Sequence, residues 1–202
     1  ASQGNTSAMH YLGHCYFYGK GVVKNIASAV ELYRKAAETG DTDAQNTMGY
    51  CCLYGYGIPQ NCSEAIYWYE KSAAKGSTLA QLNLGYIYEN GYGVEANNET
   101  AVYWFASAAQ QGDAAAENEL GKCYMYGKGV MQDAIEAVKW YMRSSEHGNS
   151  DGQANLGYCY ETGTGIQKSY EKAMEWYLRA AEQGNEYASE RLMTLTGMAR
   201  FG

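Results

Sequence analysis

Four glycine columns recur every 36 residues along the chain without an insertion or deletion. The columns are Gly13, Gly49, Gly85, Gly121, Gly157; Gly19, Gly55, Gly91, Gly127, Gly163; Gly21, Gly57, Gly93, Gly129, Gly165; and Gly40, Gly76, Gly112, Gly148, Gly184. A fixed period of this length is typical of stacked supersecondary units. The sequence therefore predicts a single repeat domain over residues 1–202. Its repeats lie at about 5–40, 41–76, 77–112, 113–148 and 149–184, and a partial repeat or cap lies at 185–202.

Each repeat is predicted to contain two helices joined by a glycine loop. Two columns contain only residues that cap helix N-termini through a side-chain oxygen: Asn5, Asp41, Ser77, Asp113, Asn149, Asn185 and Asn25, Asn61, Asn97, Asp133, Ser169. Glu64 and Glu136 follow their caps by three residues and approximate capping boxes. The Gly40 column is suited to ending the second helix in a left-handed conformation. The small residue Gly13 on the first helix lets the partner helix approach closely, and we expect Trp68, Trp104, Trp140 and Trp176 to be buried between neighbouring repeats.

The third repeat joins Leu84-Gly85 and Tyr88 to Gly91-Tyr-Gly93-Val94 and then to Ala101, Trp104, Ala108-Ala109 and Gly112, and the fifth repeat has the same arrangement. This pattern resembles the Sel-one-like repeat (SLR) family, relatives of the tetratricopeptide repeats. The resemblance covers nearly the whole chain. It implies an all-α fold, a right-handed α-solenoid superhelix of five helix-turn-helix repeats plus a C-terminal half repeat, with the first helices on the concave side. It also implies a non-enzymatic adaptor role. Met48, Cys52 and Ser144-Ser145 depart from the pattern and put local packing in doubt.

If the first helices line a groove, two columns that vary between repeats should face a partner. They supply the predicted partner-binding residues: His14, Tyr50, Tyr86, Lys122, Tyr158, and Tyr18, Tyr54, Asn90, Tyr126. Tyrosine offers a large contact area, a hydroxyl group and few rotatable bonds, which suits the binding of a peptide or protein segment. The alternative is that several of these tyrosines pack between repeats. Lys122 is the only cation of its column and is a candidate for a partner carboxylate, or else a solvated lysine. A third varying column, His10, Asn46, Leu82, Asn118, Ala154, is assigned to the same face.

The composition makes a protein or peptide the expected class of partner. The net charge is −7 and no basic cluster occurs, so nucleic acid is not expected. No apolar stretch is long enough for membrane insertion. Four of the six cysteines share a column with Ile87, which predicts reduced thiols in an apolar packing position. We expect a cytoplasmic protein, with the secretory pathway or periplasm as the alternative because Asn5, Asn61 and Asn98 begin N-glycosylation acceptor patterns. The oligomeric state stays open.

No catalytic residue, cofactor or metal site is expected. Ser72-Ala-Ala-Lys75 and Ser169-Tyr-Glu-Lys172 match one motif of β-lactam-recognising enzymes, but the accompanying motifs are absent, so a β-lactam hydrolase is only a remote alternative. His10 and His14 are four residues apart without a carboxylate beside them, which favours a surface or groove location over metal binding. A structural or assembly role within a larger protein is the second hypothesis, motivated by Met198 and Phe201 near the end of the sequence.

Overall fold

The computed structural model describes the backbone of residues 3–197 and the side chains of residues 6–197. Over this range the chain forms eleven α-helices and no strand. The helices are α1 (Gln3–Tyr18), α2 (Ile26–Glu38), α3 (Thr42–Tyr54), α4 (Cys62–Ala73), α5 (Thr78–Asn90), α6 (Asn98–Ala109), α7 (Ala114–Tyr126), α8 (Ala134–Glu146), α9 (Ser150–Thr162), α10 (Tyr170–Glu182) and α11 (Glu186–Thr196). The predicted fold class, an all-α solenoid of 36-residue helix pairs, is confirmed.

The chain divides into two compact units, Ala1–Asn97 and Asn98–Gly202. In the first unit α1 packs on α2 and α3 on α4, and α2 and α4 also contact the first helix of the following repeat. In the second unit α7 pairs with α8 and α9 with α10, while α6, α8 and α10 each contact the helix that follows. Each unit therefore buries its apolar faces by stacking helix pairs, as repeat proteins do.

The helix starts follow the predicted caps. Across the two cap columns, a total of nine side chains accept a hydrogen bond of 2.7–3.3 Å from the backbone N–H three residues later. They are Asn25, Asp41, Asn61, Ser77, Asp113, Asp133, Asn149, Ser169 and Asn185. A cap of this kind is worth about 1 kcal/mol. The Gly40 column has φ of 85–96° wherever it ends a second helix, as expected. The predicted helix start at Asn5 is wrong, because α1 already begins at Gln3 and Asn5 therefore lies within the helix.

Only half of each capping box forms. Asn61 accepts from the Glu64 backbone, but the Glu64 carboxylate does not return to the cap. It accepts instead from Arg34 at 2.8 Å and from the Trp68 indole N–H at 3.3 Å. The Glu136 carboxylate likewise pairs with Lys139. These glutamates therefore serve side-chain contacts rather than the helix start.

A tyrosine ring lies directly on the central glycine of four helix pairs. A Cβ atom added at Gly13 would lie 2.5 Å from Cε1 of Tyr33, and the equivalent distances at Gly49, Gly121 and Gly157 are 2.7, 2.6 and 2.8 Å. Such separations are too short for carbon atoms, so the close approach requires glycine. The rings concerned, Tyr33, Tyr69, Tyr141 and Tyr177, are at most 2% exposed. They are among the largest side chains of the core.

The expected burial of the tryptophans is correct only for Trp68, which is 6% exposed. Trp104, Trp140 and Trp176 are half-buried. All four tryptophans precede a buried aromatic residue by one position, about 100° around the helix from the glycine contact, so that contact does not bury them. The open faces of Trp140 and Trp176 carry the guanidinium groups of Arg143 and Arg179 at 4.7 and 4.6 Å.

One buried carboxylate breaks the repeat pattern. Gln45, Gln81 and Gln153 occupy one column, and each donates its side-chain amide to the carbonyl eight residues earlier, at 3.0–3.4 Å. In the fourth repeat this position holds Glu117, which is fully buried and lacks the amide group of the glutamines. Arg143 bonds its Oε1 at 3.0 Å and also donates to the Ala109 carbonyl, while His147 contacts its Oε2 at 2.7 Å. Arg143 thus supplies both the countercharge and the missing donor.

The departures from the repeat pattern are packed without loss. Met48 and Cys52 are fully buried. The hydroxyls of Ser144 and Ser145 donate to the backbone carbonyls of Ala114 and Tyr141 at 2.7 and 2.6 Å. None of the six cysteines forms a disulfide, and three of the four in the predicted packing column, Cys51, Cys123 and Cys159, are buried. Within the described range, no helix is both long and apolar enough to cross a bilayer.

Candidate protein-binding face

The first helices of the first unit place an aromatic patch at the surface. The patch consists of Phe17, Tyr18, Tyr50, Tyr54 and Tyr56, and its four tyrosines are 40–61% exposed. The rings contact one another: the centroids of Tyr50 and Tyr54 are 4.8 Å apart, those of Tyr50 and Tyr56 5.4 Å, and those of Phe17 and Tyr56 6.0 Å. The patch is therefore one continuous surface rather than a set of scattered side chains.

A cavity of about 310 Å³ opens beside this patch. Its lining combines apolar walls with a few polar groups, and it includes three of the predicted binding residues. The lining residues are His14, Phe17, Tyr18, Tyr33, Asn46, Thr47, Tyr50, Cys51, Leu79 and Asn83. Leu79 is 53% exposed, although the same helix buries its other leucines. Binding sites in proteins commonly have this composition, with an apolar lining and a small number of polar groups.

Two asparagines from successive repeats meet at the cavity. The Asn83 amide nitrogen donates to the Asn46 side-chain oxygen at 3.4 Å. An asparagine amide has two N–H donors and an oxygen that can accept two hydrogen bonds, so this contact leaves both side chains with further hydrogen-bonding capacity. The second unit repeats the arrangement, with Asn155 donating to Asn118 at 2.7 Å.

The surroundings of the patch disfavour the charged forms of His14 and Tyr50. Burial and the nearby Lys20 lower the pKa of His14, whose ring stacks on Tyr18 with centroids 6.0 Å apart. A hydrogen bond with Tyr56, followed by burial, raises the pKa of Tyr50. Lys20 lies 5.5 Å from the centroid of the Tyr18 ring. The patch is therefore an uncharged aromatic surface with one cation at its edge.

The remaining predicted residues divide between the units. Tyr86 and Asn90 are on α5 in the first unit, where Asn90 donates to the Tyr86 carbonyl. Lys122 and Tyr126 are on α7, and Tyr158 is on α9, in the second unit. Both of these tyrosines are exposed, at 65% and 42%. The Lys122 ammonium is not simply solvated, because it forms an ion pair with Glu119, with its Nζ 2.6 Å from Oε2.

The second unit has its own cavity, of about 270 Å³, at matching repeat positions. It is lined by Asn118, Glu119, Lys122, Tyr126, Asp151, Ala154, Asn155, Asn185 and Tyr187. Where the first cavity has Tyr50 and Leu79, this one has Lys122 and Asp151. The two cavities thus share an asparagine pair but differ in the polarity of their walls.

Three sequence-based assignments need correction or completion. The column containing His10 is mostly buried, because His10, Leu82, Asn118 and Ala154 are at most 8% exposed, and it reaches the face only where Asn46, Asn118 and Ala154 contribute to the cavity walls. Tyr56 belongs to the patch but was not predicted. Its signal was available, because the position between the two loop glycines varies in the same way as the predicted columns do. Met198 and Phe201, cited for an assembly role, lie outside the described residues.

The serines of the two Ser-x-x-Lys motifs have structural contacts. Ser72 is fully buried, and its hydroxyl donates to the Thr42 carbonyl at 2.9 Å. Lys75 donates to the Gly40 carbonyl rather than to Ser72. Ser169 is the cap of α10. Neither serine is arranged as an activated nucleophile, which would need a base within hydrogen-bonding distance.

Comparison with known proteins gives a consistent result. A family model described as "Sel1 repeat" matches residues 6–41, 42–77, 78–113, 114–149 and 150–185. A crystal structure of a Sel1 repeat protein from Oxalobacter formigenes is 34% identical, with a TM-score of 0.90 over 99% of this chain and 80% of that one. A protective antigen of uropathogenic Escherichia coli with an SLR fold, c5321, is 36% identical over 94% of this chain, with a TM-score of 0.86. This chain spans 41% of the length of that antigen.

A more distant structure, the immunity protein Pa5087 from Pseudomonas aeruginosa, is 22% identical. Its TM-score is 0.60 over 91% of this chain and 68% of that one, a likeness of fold alone. A search of curated proteins gave no match.

Proposed function

The chain belongs to the Sel1 repeat family, whose members typically bind proteins, and we propose that it binds an extended peptide segment of a partner protein on the aromatic patch of its first unit. The observation that carries this proposal is the continuous exposure of Tyr18, Tyr50, Tyr54 and Tyr56 beside a cavity. In this proposal the protein acts by holding its partner and not by catalysis.

The tyrosines of the patch are not the ones that hold the helix pairs together. The tyrosines that hold each helix pair together are the buried ones, such as Tyr33 and Tyr69. Tyr50 and Tyr54 lie on the solvent-exposed side of α3, where 42% and 57% of their surface is accessible to water. Contiguous apolar surface of this kind is a common mark of an interaction site. Tyrosine is also enriched among the residues that contribute most binding energy at interfaces.

The cavity supports a proposal for which part of a peptide is bound. A volume of about 310 Å³ has room for about one large side chain, and Tyr50, Leu79 and Phe17 give it apolar walls. The Asn46–Asn83 pair can offer its remaining amide donor and oxygen lone pairs to the backbone beside that side chain. We therefore propose that the first unit binds an aromatic or aliphatic residue and its flanking peptide bonds.

The other predicted residues have lesser parts in the proposal. Tyr86 and Asn90 extend the same face along α5. In the second unit, Tyr126, Tyr158 and Lys122 form a separate contact region, where a partner carboxylate has to compete with Glu119 for the Lys122 ammonium. We therefore expect Lys122→Ala to weaken binding less than Tyr50→Ala does.

A peptide-selection experiment tests the proposal. The complete chain is immobilised and used to select binders from a phage-displayed library of random peptides, and the affinity of each selected peptide is measured by fluorescence anisotropy. Tyr50→Ala and Tyr86→Ala, which shorten two residues of the face, are compared with Tyr67→Ala. Tyr67 is the matched control, because it is 49% exposed on α4 and lies outside the patch and its cavity.

We expect selected peptides to share an aromatic or aliphatic residue and to lose at least about tenfold in affinity on Tyr50→Ala, which corresponds to about 1.4 kcal/mol. The Tyr67→Ala control should bind as the unmodified chain does. If Tyr50→Ala and Tyr86→Ala both fold and bind every selected peptide normally, the aromatic patch is not the binding face and the proposal is wrong.

A further inference from the structure

Three side chains with metal-binding atoms meet where α1 packs against α3. They are His10 on α1, Asp41 at the N-terminus of α3 and Asp43 in its first turn. A ring nitrogen of His10 and one carboxylate oxygen from each aspartate lie within 4.8 Å of one another. We propose that these three residues bind a divalent transition-metal ion, with Zn²⁺ as the representative ion.

The N-terminus of α3 explains why two aspartates occur at this place, but it does not explain why a histidine lies beside them. Asp41 Oδ1 caps α3 by accepting from the Ala44 N–H at 2.8 Å, and an acidic residue such as Asp43 favours the first turn of a helix. His10 comes from a different helix and is only 8% exposed. Buried imidazoles normally have hydrogen-bond partners on their ring nitrogens.

The contacts of His10 leave one ring nitrogen available. Its Nε2 is 3.0 Å from Thr47 Oγ1. The Thr47 hydroxyl donates its single proton to the Asp43 backbone carbonyl at 2.9 Å, so it accepts from the imidazole Nε2–H. Nδ1 then carries the lone pair, and it has no hydrogen-bond partner among the residues whose side chains the structure describes. Metal-binding histidines commonly have their second nitrogen fixed by a hydrogen bond of this kind.

The repeat pattern shows that this combination is not required by the fold. The residues equivalent to His10 in the later repeats are Asn46, Leu82, Asn118 and Ala154, and those equivalent to Asp43 are Leu79, Ala115, Asp151 and Tyr187. A position needed for packing would hold similar residues in every repeat. Among the described residues, the junction of the first two repeats is where a histidine and two aspartates come together.

The geometry fits an ion with open coordination positions. Zinc binds nitrogen and carboxylate oxygen at about 2.0–2.2 Å, so tetrahedral ligand atoms lie about 3.4 Å apart. The three ligand atoms lie within 4.8 Å of one another, so they have to close by up to about 1.4 Å, and rotation of the exposed Asp43 side chain can supply part of that movement. A cavity of about 370 Å³ opens at the two aspartates and has room for water ligands. Ser7 donates to Asp41 Oδ2 at 3.2 Å and orients that carboxylate.

The test is metal titration of the complete chain without a polyhistidine tag. Zn²⁺ binding is measured by isothermal titration calorimetry, and Co²⁺ serves as a spectroscopic probe. The chain is compared with His10→Gln and with Asp43→Asn, whose exposed side chain makes it the variant least able to disturb folding. Asp151→Asn is the matched control, because Asp151 has the repeat position of Asp43 but has neither a histidine nor a second aspartate beside it.

We expect one equivalent of Zn²⁺ to bind and the affinity to fall at least about tenfold in His10→Gln and in Asp43→Asn but not in Asp151→Asn. The Co²⁺ complex should lack the intense charge-transfer absorption of thiolate ligands. No binding at millimolar Zn²⁺, equal binding by folded Asp43→Asn, or a thiolate signal from the cysteines would each overturn the proposal.

Discussion

Removing the positive charge beside Glu117 should destabilise the second unit, and replacing Glu117 by the glutamine that three other repeats have should reverse the loss. The proposed change is Arg143→Met, which keeps an unbranched side chain over Trp140 but removes the guanidinium. The Glu117 carboxylate then stays fully buried, with His147 as its remaining side-chain partner. The Ala109 carbonyl also loses the donor that Arg143 supplied.

The size of the effect follows from the burial of the two charges. Leaving one member of a fully buried ion pair without its partner costs about 3–5 kcal/mol. The Arg143 side chain is 45% exposed and His147 still holds the second oxygen, so we expect about 2 kcal/mol. For a chain of this length, that corresponds to a fall of about 4–8 °C in Tm. The second change, Glu117→Gln, gives the side chain an amide that can donate to Ala109 as Gln45 does to Ala37.

The assay is thermal unfolding followed by circular dichroism, together with amide hydrogen exchange in α7 and α8 to locate the effect. Arg179→Met is the matched control, because Arg179 stacks on Trp176 as Arg143 does on Trp140, but its repeat has Gln153 in place of a buried carboxylate. The reasoning is refuted if Arg143→Met costs no more than Arg179→Met. It is also refuted if Glu117→Gln fails to restore the stability of Arg143→Met.

Three further results are expected. Gly121→Ala should cost about 1–3 kcal/mol in denaturant unfolding, because its Cβ would lie 2.6 Å from the buried Tyr141 ring; a stability equal to that of the unmodified chain would show that the helix pair relaxes. Burial would raise the pKa of the Glu161 carboxyl, but hydrogen bonds from Arg191 and Tyr177 lower it, so its stabilising contribution is present above the unfolded value of about 4.3 and lost below it. Glu161→Gln should therefore lower Tm at pH 7 but not at pH 3, and a difference of equal size at both values would contradict this. Burial raises the pKa of three thiols to about 11–12, so iodoacetamide at pH 8 should label them only after denaturation, and mass spectrometry of the native chain should find them unmodified: Cys51, Cys52 and Cys159.

The parts of the fold that the sequence predicts are those that depend on single residues and their neighbours along the chain. Capping by Asp41 and Asn61 and the left-handed glycines are local properties, and each is confirmed. The tryptophan assignment failed because hydrophobicity does not distinguish a residue on the glycine contact from its neighbour one position earlier. Only the geometry of the helix pairs shows which of the two neighbouring repeat positions is buried in every repeat: it is the position of Tyr69, and not the position of Trp104.

The functional features that were missed depend on contacts between repeats. No carboxylate lies near His10 in the sequence, yet Asp41 and Asp43 reach it because one 36-residue period brings the next repeat alongside. Glu117 likewise looks like a surface glutamate until the buried column of Gln45 and its equivalents is known. Tyr18, Tyr50 and Tyr54 were predicted for the binding face, because a column that varies within a constant framework is visible in the sequence alone. Their role in binding stays a prediction.

The uniform helix boundaries have a consequence for how such a chain can change in length. Each described repeat after the first brings its own capping residue and its own left-handed glycine, so its ends do not depend on what neighbours it. A duplication or loss of one 36-residue segment would rejoin a helix end to a helix start that already matches it. Reach and binding capacity could then be altered by copying whole segments, with no new junction to be invented.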